Sequence, residues 1–477
     1  MKEKNKKLAK NTFLMFLVYF LPKVFSFFLV PLYTTYLSTT EYGISDIIIS
    51  TASFFAPFVA LETPGAVFRF TIENKGDKRP YQVAIRIFVF GISVFIVLLI
   101  VTYLIKHINP VYLLFVYFIV GTSLLSDINL SYTRGIEKMK IVTLCGVGSS
   151  LIGILSNIVT IVILHWGLFG FLISSIMGYT FNILVLLFAN RKEGLLCNIL
   201  KNKEPKLRHE MLSFSVPSIF SGLSWWVISS SDRYFVTLLC GAAANGVYSI
   251  AYKIPTILQA LDNVFGKAWI YTLYDSYKTD KGREYLSKII DMYNFLFCFG
   301  CSILISLDLI VSKILYSKDF FLAWRYAPLL LISVAFSSAS SLMGKFCSVY
   351  KKTKISMRIS LLTAATNIVL NWVFIIIFND AIGAAVATAV TFFVSWLCYT
   401  IVGTKLSNVK INWTKQIIMY CVLILQTVII LYSRNAILAG VGVIIILLIN
   451  INTIGLIKRK GKLFFEEKRK KINQGNL

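Results

Sequence analysis

The sequence predicts an all-α polytopic membrane protein of about fourteen transmembrane helices, and three observations carry that prediction. First, 57% of the 477 residues are hydrophobic, 14% are aromatic and only 15% are charged, with a mean hydropathy of +0.74. A soluble domain of this size needs a larger polar surface. Second, apolar runs of bilayer-spanning length recur from end to end. Third, the net charge of +26 is not spread evenly but gathers in alternate loops.

The spans are read at about 11–37, 43–70, 82–105, 110–133, 141–164, 168–190, 212–239, 244–273, 289–311, 326–350, 355–378, 382–404, 414–433 and 436–457. Cations cluster before the first span, at 71–81, 134–140, 191–211, 274–288, 351–354 and 405–413, and in the C-terminal run KRKGKLFFEEKRKK. The opposite loops (STTE, HWGL, CGAAAN, FND) are nearly free of them; Lys106, Lys313, Lys318, Arg325 and Arg434 are the exceptions. This is the positive-inside pattern, and it predicts that both termini are cytoplasmic. The basic excess is then topology and contact with anionic membrane lipids rather than a nucleic-acid surface.

The first span, NTFLMFLVYFLPKVFSFFLVPLYTTYL, follows the basic run MKEKNKKLAK. It is too long for a signal-peptide core and lacks a small-residue cleavage site, so it is expected to remain as a membrane helix. Lys23 sits near its middle. Twelve residues of helix are ~18 Å, beyond the reach of a snorkelling side chain. Either this helix lines a polar cavity or Lys23 is neutral.

Span 2 opens with Thr39, Thr40 and Glu41 as its expected cap and carries Pro57, Glu62, Pro64 and Arg69. Prolines at this depth kink a helix and free carbonyls, which is tolerated where a cavity is lined. Glu62 and Arg69, seven apart, are expected on one face; Arg69 also suits the cytoplasmic headgroups. Asp127, near the end of span 4, is expected to satisfy a neighbouring helix or the rim. Spans 5 and 6 are rich in Gly and Ser, as where membrane helices approach closely. Residues 191–211 carry a short apolar stripe and read as an interfacial amphipathic helix between two bundles.

Span 7 contains Asp232-Arg233, and span 8 carries Lys253, Asp262 and Lys267. Lys253 and Lys267, fourteen apart, fall within about 40° of each other on a helix. Asp232 and Lys253 also fit a structural ion pair between neighbouring helices, and Lys267 fits snorkelling. Spans 13 and 14 lack internal charges and read as an appended hairpin. The eight cysteines are scattered. Cys298 and Cys301 form a CxxC inside an apolar helix with no second pair, which suits packing rather than zinc or redox chemistry. His107, His165 and His209 show no ligand spacing. No metal or cofactor is expected.

The halves repeat weakly. Residues 24–47 can be laid on 227–250 without gaps at an offset of 203, which aligns Gly43 with Gly246. Further on, Gly170 aligns with Gly383. Six spans per half give both the same orientation, hence a parallel repeat about the membrane normal, with a central cavity and rocking alternating access. The expected organisation is a six-helix lobe at 1–190, a cytoplasmic linker at 191–211, a second lobe at 212–404, a helix pair at 405–457 and a basic tail at 458–477.

The runs PLYTTYLSTTEYGISDI, DRYFVTLLCGAAANGVYSIAYKI, YSKDFFLAWRYAPLLL and NIVLNWVFIIIFNDAIGAAVATAV resemble the polysaccharide-transporter, Wzx-type oligosaccharide flippases, in one superfamily with multidrug and toxin extruders and lipid II flippases. The resemblance implies two six-helix lobes in a V, here with two extra helices. It also implies flipping of undecaprenyl-pyrophosphate-linked sugars, not enzymatic turnover, in a bacterial cytoplasmic membrane. Partners would include a polysaccharide polymerase and a chain-length regulator. It points to cavity cations on helices 1, 2 and 8, and by position these are Lys23, Arg69, Lys253 and Lys267. Arg233 is a further cavity candidate. Glu62, Asp232 and Asp262 are candidates for coupling to a proton or sodium gradient or for ion pairing. Trp225, Trp226, Tyr234, Tyr248 and Tyr252 are candidates for sugar contact, against ordinary packing. A cation-coupled drug extruder of the same fold would favour acidic cavity residues, against Lys23. A membrane polymerase or acyltransferase needs a large outer loop or a paired catalytic constellation, and neither is evident.

Overall fold

A computed structural model describes residues 16, 18, 20–74, 76–195, 204–277 and 279–455, with Ser221, Ala268, Tyr271 and Asp275 described by backbone only. The basic N-terminal run, most of the linker stripe and the basic tail lie outside the described residues.

The described chain is helical throughout. In order come α1 (20–28), α2 (Val30–Tyr36), α3 (Thr39–Val59), α4 (Thr63–Glu73), α5 (Arg79–Lys106), α6 (Pro110–Gly135), α7 (Met139–Asn157), α8 (Gly167–Ala189), α9 (Pro205–Cys240), α10 (Ala242–Ala251), α11 (Lys253–Ser276), α12 (Asp280–Leu315), α13 (Ala327–Val349), α14 (Thr353–Phe378), α15 (Ile382–Ser407), α16 (Trp413–Ser433) and α17 (Ala436–Ile449). A π-helical turn, Ile158–Ile163, extends α7, and a 3₁₀ segment, Lys318–Arg325, precedes α13. Among the described residues, eleven helices are long and apolar enough to cross a membrane. The other three expected spans are a helix interrupted at Leu29, one interrupted at Tyr252, and the shorter α17.

Span 2 is broken, as its prolines predict. Helix α3 ends at Val59, and Leu61 and Glu62 follow with φ of 48° and 53°. Pro64 then occupies the first turn of α4, where a missing N–H costs nothing. Two consecutive left-handed residues that are not glycine store roughly 1–3 kcal/mol each. The start of α3 departs from expectation. Ser38, not Thr39 or Thr40, is the cap: its Oγ accepts from Glu41 N (3.2 Å), and Glu41 Oε2 accepts from Ser38 N (2.9 Å). The reciprocal capping box needs the acid three residues after the hydroxyl, and only Ser38 has that spacing to Glu41.

The chain forms two compact units. The first takes the described residues up to Lys253, with Tyr316–Phe320 and Asn371–Ala381; the second takes Ile254–Leu315, Phe321–Leu370 and the described residues from Ile382. In the first unit α9 packs against α3 and α4, and α10 packs against α3.

Within the first unit, α3 and α10 cross in backbone contact. A Cβ on Gly43 would overlap the carbonyl oxygen of Ala242, and one on Gly246 would overlap that of Thr39. The two contacts are related by the repeat, since Gly43 to Gly246 and Thr39 to Ala242 are both steps of 203. Asn245 Nδ2 closes the crossing by donating to Gly43 O (3.1 Å). Around it, Tyr81, Ile128, Tyr132 and Leu172 are fully buried among α5, α6 and α8.

The second unit is built on Trp269, Tyr293, Leu342 and Phe346, with Trp269 Nε1 donating to Leu342 O (3.1 Å). The α16–α17 hairpin is anchored there by a polar side chain: Gln426 Nε2 donates to Ser306 Oγ of α12 (3.1 Å) and to Ala439 O (2.7 Å).

The crossing gives the first prediction. Gly43→Val is expected to cost about 1–3 kcal/mol by overpacking and to lower the thermal midpoint of detergent-purified protein. Gly65→Ala, whose added methyl meets nothing within 4 Å, should leave the midpoint unchanged.

Candidate functional site: a charge cluster in the first unit

Asp232 lies within the seventh expected span and is 0% exposed. A carboxylate there needs donors, and the local sequence supplies them. Tyr248 and Tyr252 are four residues apart, hence on one face, and both hydroxyls donate to Asp232 Oδ2 at 2.7 Å. Oδ1 accepts from the N–H of Arg233 (2.9 Å). These tyrosines are therefore buried partners of Asp232 and not open sugar platforms.

Arg233 turns the other way. Its Nε is 3.1 Å from Asp46 Oδ2, an ion pair without hydrogen-bond alignment. One guanidinium nitrogen donates to Ser50 Oγ (3.3 Å), and the group lies 5.6 Å from the Tyr252 ring centroid. Asp46 Oδ2 also accepts from Ser249 Oγ (2.7 Å). Lys253 Nζ donates to Ser26 Oγ (3.3 Å), three residues from Lys23 on α1. The charge of Lys253 interacts with Lys23, Asp46 and Arg233. Lys23 itself is exposed. Three cations thus face two acids, a formal excess of one positive charge carried by α1, α3, α9 and the start of α11.

Beside the cluster is an aromatic group. Trp226 Nε1 donates to Ser50 O and Ser53 Oγ, both 3.1 Å. Its ring lies 4.7 Å from Phe54 and 5.5 Å from Tyr234, and Tyr234 shares a hydrogen bond with Thr51 (2.7 Å). Trp225 is largely exposed.

Of the expected residues, Lys23, Asp232, Arg233 and Lys253 are brought together. Arg69 is engaged elsewhere: its Nε donates to Glu73 (2.8 Å), and its guanidinium lies over Phe214 at 4.5 Å, with the side chain half-exposed. Glu62 is not on a shared helical face with Arg69, because it occupies the left-handed break before α4. Asp262 and Lys267 belong to the second unit. There Asp262 accepts from the Tyr293 hydroxyl, and Lys267 is exposed. Asp46 went unread in the sequence. The available signal was an acid one turn into a membrane helix, three residues from the aligned glycine.

The fold and this cluster define a multi-pass helical membrane protein that keeps charge inside its bundle. A family model described as "Polysaccharide biosynthesis protein" matches residues 8–273, more than half of the chain, and the chain belongs to that family. No curated protein sequence matches it. Among solved structures, "Lipid II flippase MurJ, inward closed conformation" superposes with a TM-score of 0.65 at 14% identity, covering 93% of this chain and 98% of that one. "Crystal structure of MATE in complex with MaD3S" gives 0.56 at 11% identity, covering 84% and 97%. A Vibrio cholerae MATE transporter in the bent form gives 0.52 at 13%, covering 84% and 97%. The fold is that of these flippases and transporters.

The Asp46–Arg233 pair gives the second prediction. Asp46→Asn and Arg233→Gln should each destabilise the protein, by less than the ~3–5 kcal/mol of a fully buried broken pair, because both side chains keep about a fifth of their exposure. The double variant should lose less than the sum, as thermal unfolding in a double-mutant cycle would show. The tyrosines give the third. Tyr248→Phe or Tyr252→Phe should cost about 1–3 kcal/mol by removing a donor from buried Asp232, read in the same assay.

Proposed function

We propose that this protein flips undecaprenyl-pyrophosphate-linked oligosaccharide repeat units across the bacterial cytoplasmic membrane for surface polysaccharide biosynthesis. The family membership supports the class of pathway. The observation that carries the reading is the cation excess around exposed Lys23. A lipid-linked glycan presents an anionic pyrophosphate, which a guanidinium meets as a fork and an ammonium as a point charge. Asp46 and Asp232 keep Arg233 engaged, so exposed Lys23 is the group that meets the phosphate first. The sugar needs polar and aromatic contacts, and the Phe54–Trp226–Tyr234 group with exposed Trp225 supplies surfaces of that kind.

In this reading the headgroup enters from the cytoplasm, where both termini lie. The lobes at 1–190 and 212–404 rock, and the lipid tail stays in the bilayer. A proton or sodium gradient drives the cycle, with Glu62, Asp232 or Asp262 as coupling acids. A polymerase and a chain-length regulator act on the flipped product.

Fourth, Lys23→Ala is expected to abolish surface glycan at normal protein level, and Lys23→Arg to retain part of it. Normal export by Lys23→Ala would remove Lys23 as a required contact. The superposition on MATE transporters favours one second reading, a drug extruder. Normal drug sensitivity of a deletion strain, with lipid-linked intermediates accumulating, separates the two.

A further inference from the structure

A second buried acid lies in the other unit, outside every site considered so far. Asp308, near the end of α12, is 0% exposed, and neither of its carboxylate oxygens has a hydrogen-bond partner. Ser312, one turn on and on the same face, is also 0% exposed with an unpartnered hydroxyl. Cys301, seven residues before Asp308, shares that face too, and its Sγ donates to Leu331 O of α13 (3.3 Å). The face therefore looks toward α13.

Helix α12 packs on α13, α16 and α17, and no cation of those helices acts on Asp308 among the described residues; the buried Tyr420 hydroxyl of α16 is itself without a hydrogen-bond partner. On α13, Lys345 lies against Gly266 of α11, and Cys347 is buried in the cluster around Trp269. On α16, Lys415 donates to Thr453 (2.7 Å), Tyr420 stacks on Phe336 and Trp396, and Cys421 and Tyr432 are exposed. Helix α17 has no ionisable side chain. Arg434, beyond α16, lies over Trp324 (5.0 Å), and Lys313 on α12 itself is exposed.

An ionised carboxylate in such surroundings, with no cation among the described residues and only the Ser312 hydroxyl beside it, is too costly to persist; the group takes a proton instead. A metal ion fits poorly, since it must replace its hydration shell with several oxygens, and this face offers two from Asp308 and one from Ser312. Buried unsatisfied groups in a native fold call for a reason, and an ionisable residue inside a membrane bundle marks an ion or proton pathway by default.

We propose that Asp308 is a proton-binding site: its carboxyl holds a proton in this conformation and releases it when movement of α12 against α13 admits water. Its coupling role rests on the transport reading above; its proton binding does not.

The test treats the purified full-length chain with dicyclohexylcarbodiimide, which modifies protonated carboxyls in apolar surroundings, and maps the adducts by mass spectrometry. The expected result is an adduct on Asp308 that diminishes as pH rises and is indifferent to sodium. It should disappear in Asp308→Asn. No adduct, an adduct constant across pH, or protection by sodium at fixed pH would each overturn the proposal. In cells, Asp308→Asn, which mimics the neutral acid, should keep normal protein level and thermal midpoint. Its surface glycan should fall roughly tenfold, within the usual range for a coupling free energy. Normal export by this variant would overturn the coupling role. A failure of the flippase reading shows separately, in the deletion strain and in Lys23→Ala, while the carbodiimide map needs no substrate.

Discussion

The crossing of α3 and α10 at Gly43 and Gly246 is the constraint from which the rest of the first unit follows. Backbones that touch leave no room for side chains at the point of contact, so the polar residues one turn away are forced together. Asp46 lies three residues past Gly43 and Ser249 three past Gly246, and they meet at 2.7 Å. Tyr248 and Tyr252 on the same stretch are turned to Asp232. Without a close crossing, these groups would sit a side-chain layer apart in an apolar bundle, and each would be an isolated polar group at considerable cost. The glycines thus make the charges affordable and the charges make the crossing specific, since a slip of one residue in either helix would break every pair.

That dependence explains how the two acids of the cluster divide their work. Asp232 is enclosed and accepts from three donors, so its carboxyl is fixed in place. Asp46 and Arg233 retain partial exposure, and Lys23 is open. Charge availability therefore rises from the centre of the cluster to its edge. Lys23 is thus the most accessible charge of the cluster and Asp232 the least.

Much of this was legible in the sequence, for a physical reason. Hydropathy and loop charge report on each helix separately, so all fourteen expected segments coincide with helical elements, and a lysine mid-span stood out because lipid offers it no partner. The proline-bearing second span read correctly as broken. What sequence hid was pairing between helices. Tyr248 and Tyr252 looked like membrane aromatics because nothing local announces a carboxylate on another helix. Asp46 went unread, and Arg69 looked like a cavity cation although Glu73, one turn on, already claims it. Asp308 went unread, since only packing against three other helices buries it.

The repeat sharpens the meaning of the cluster. At an offset of 203 the crossing glycines correspond, yet the residues of the cluster do not: Lys23 maps to Trp226, Val30 to Arg233, Asp46 to Ser249 and Ser50 to Lys253. The geometry of the two-fold was kept while its chemistry diverged, each charge facing an aromatic, aliphatic or hydroxyl counterpart. A symmetric bundle with symmetric charges would place like charges on either side of the axis and set them against each other. Replacing one member of each pair removes that repulsion and leaves an aromatic group, Trp226, beside the cations. Such a surface suits a ligand that is itself divided, anionic at one end and polar and bulky at the other, better than one carrying a single uniform charge.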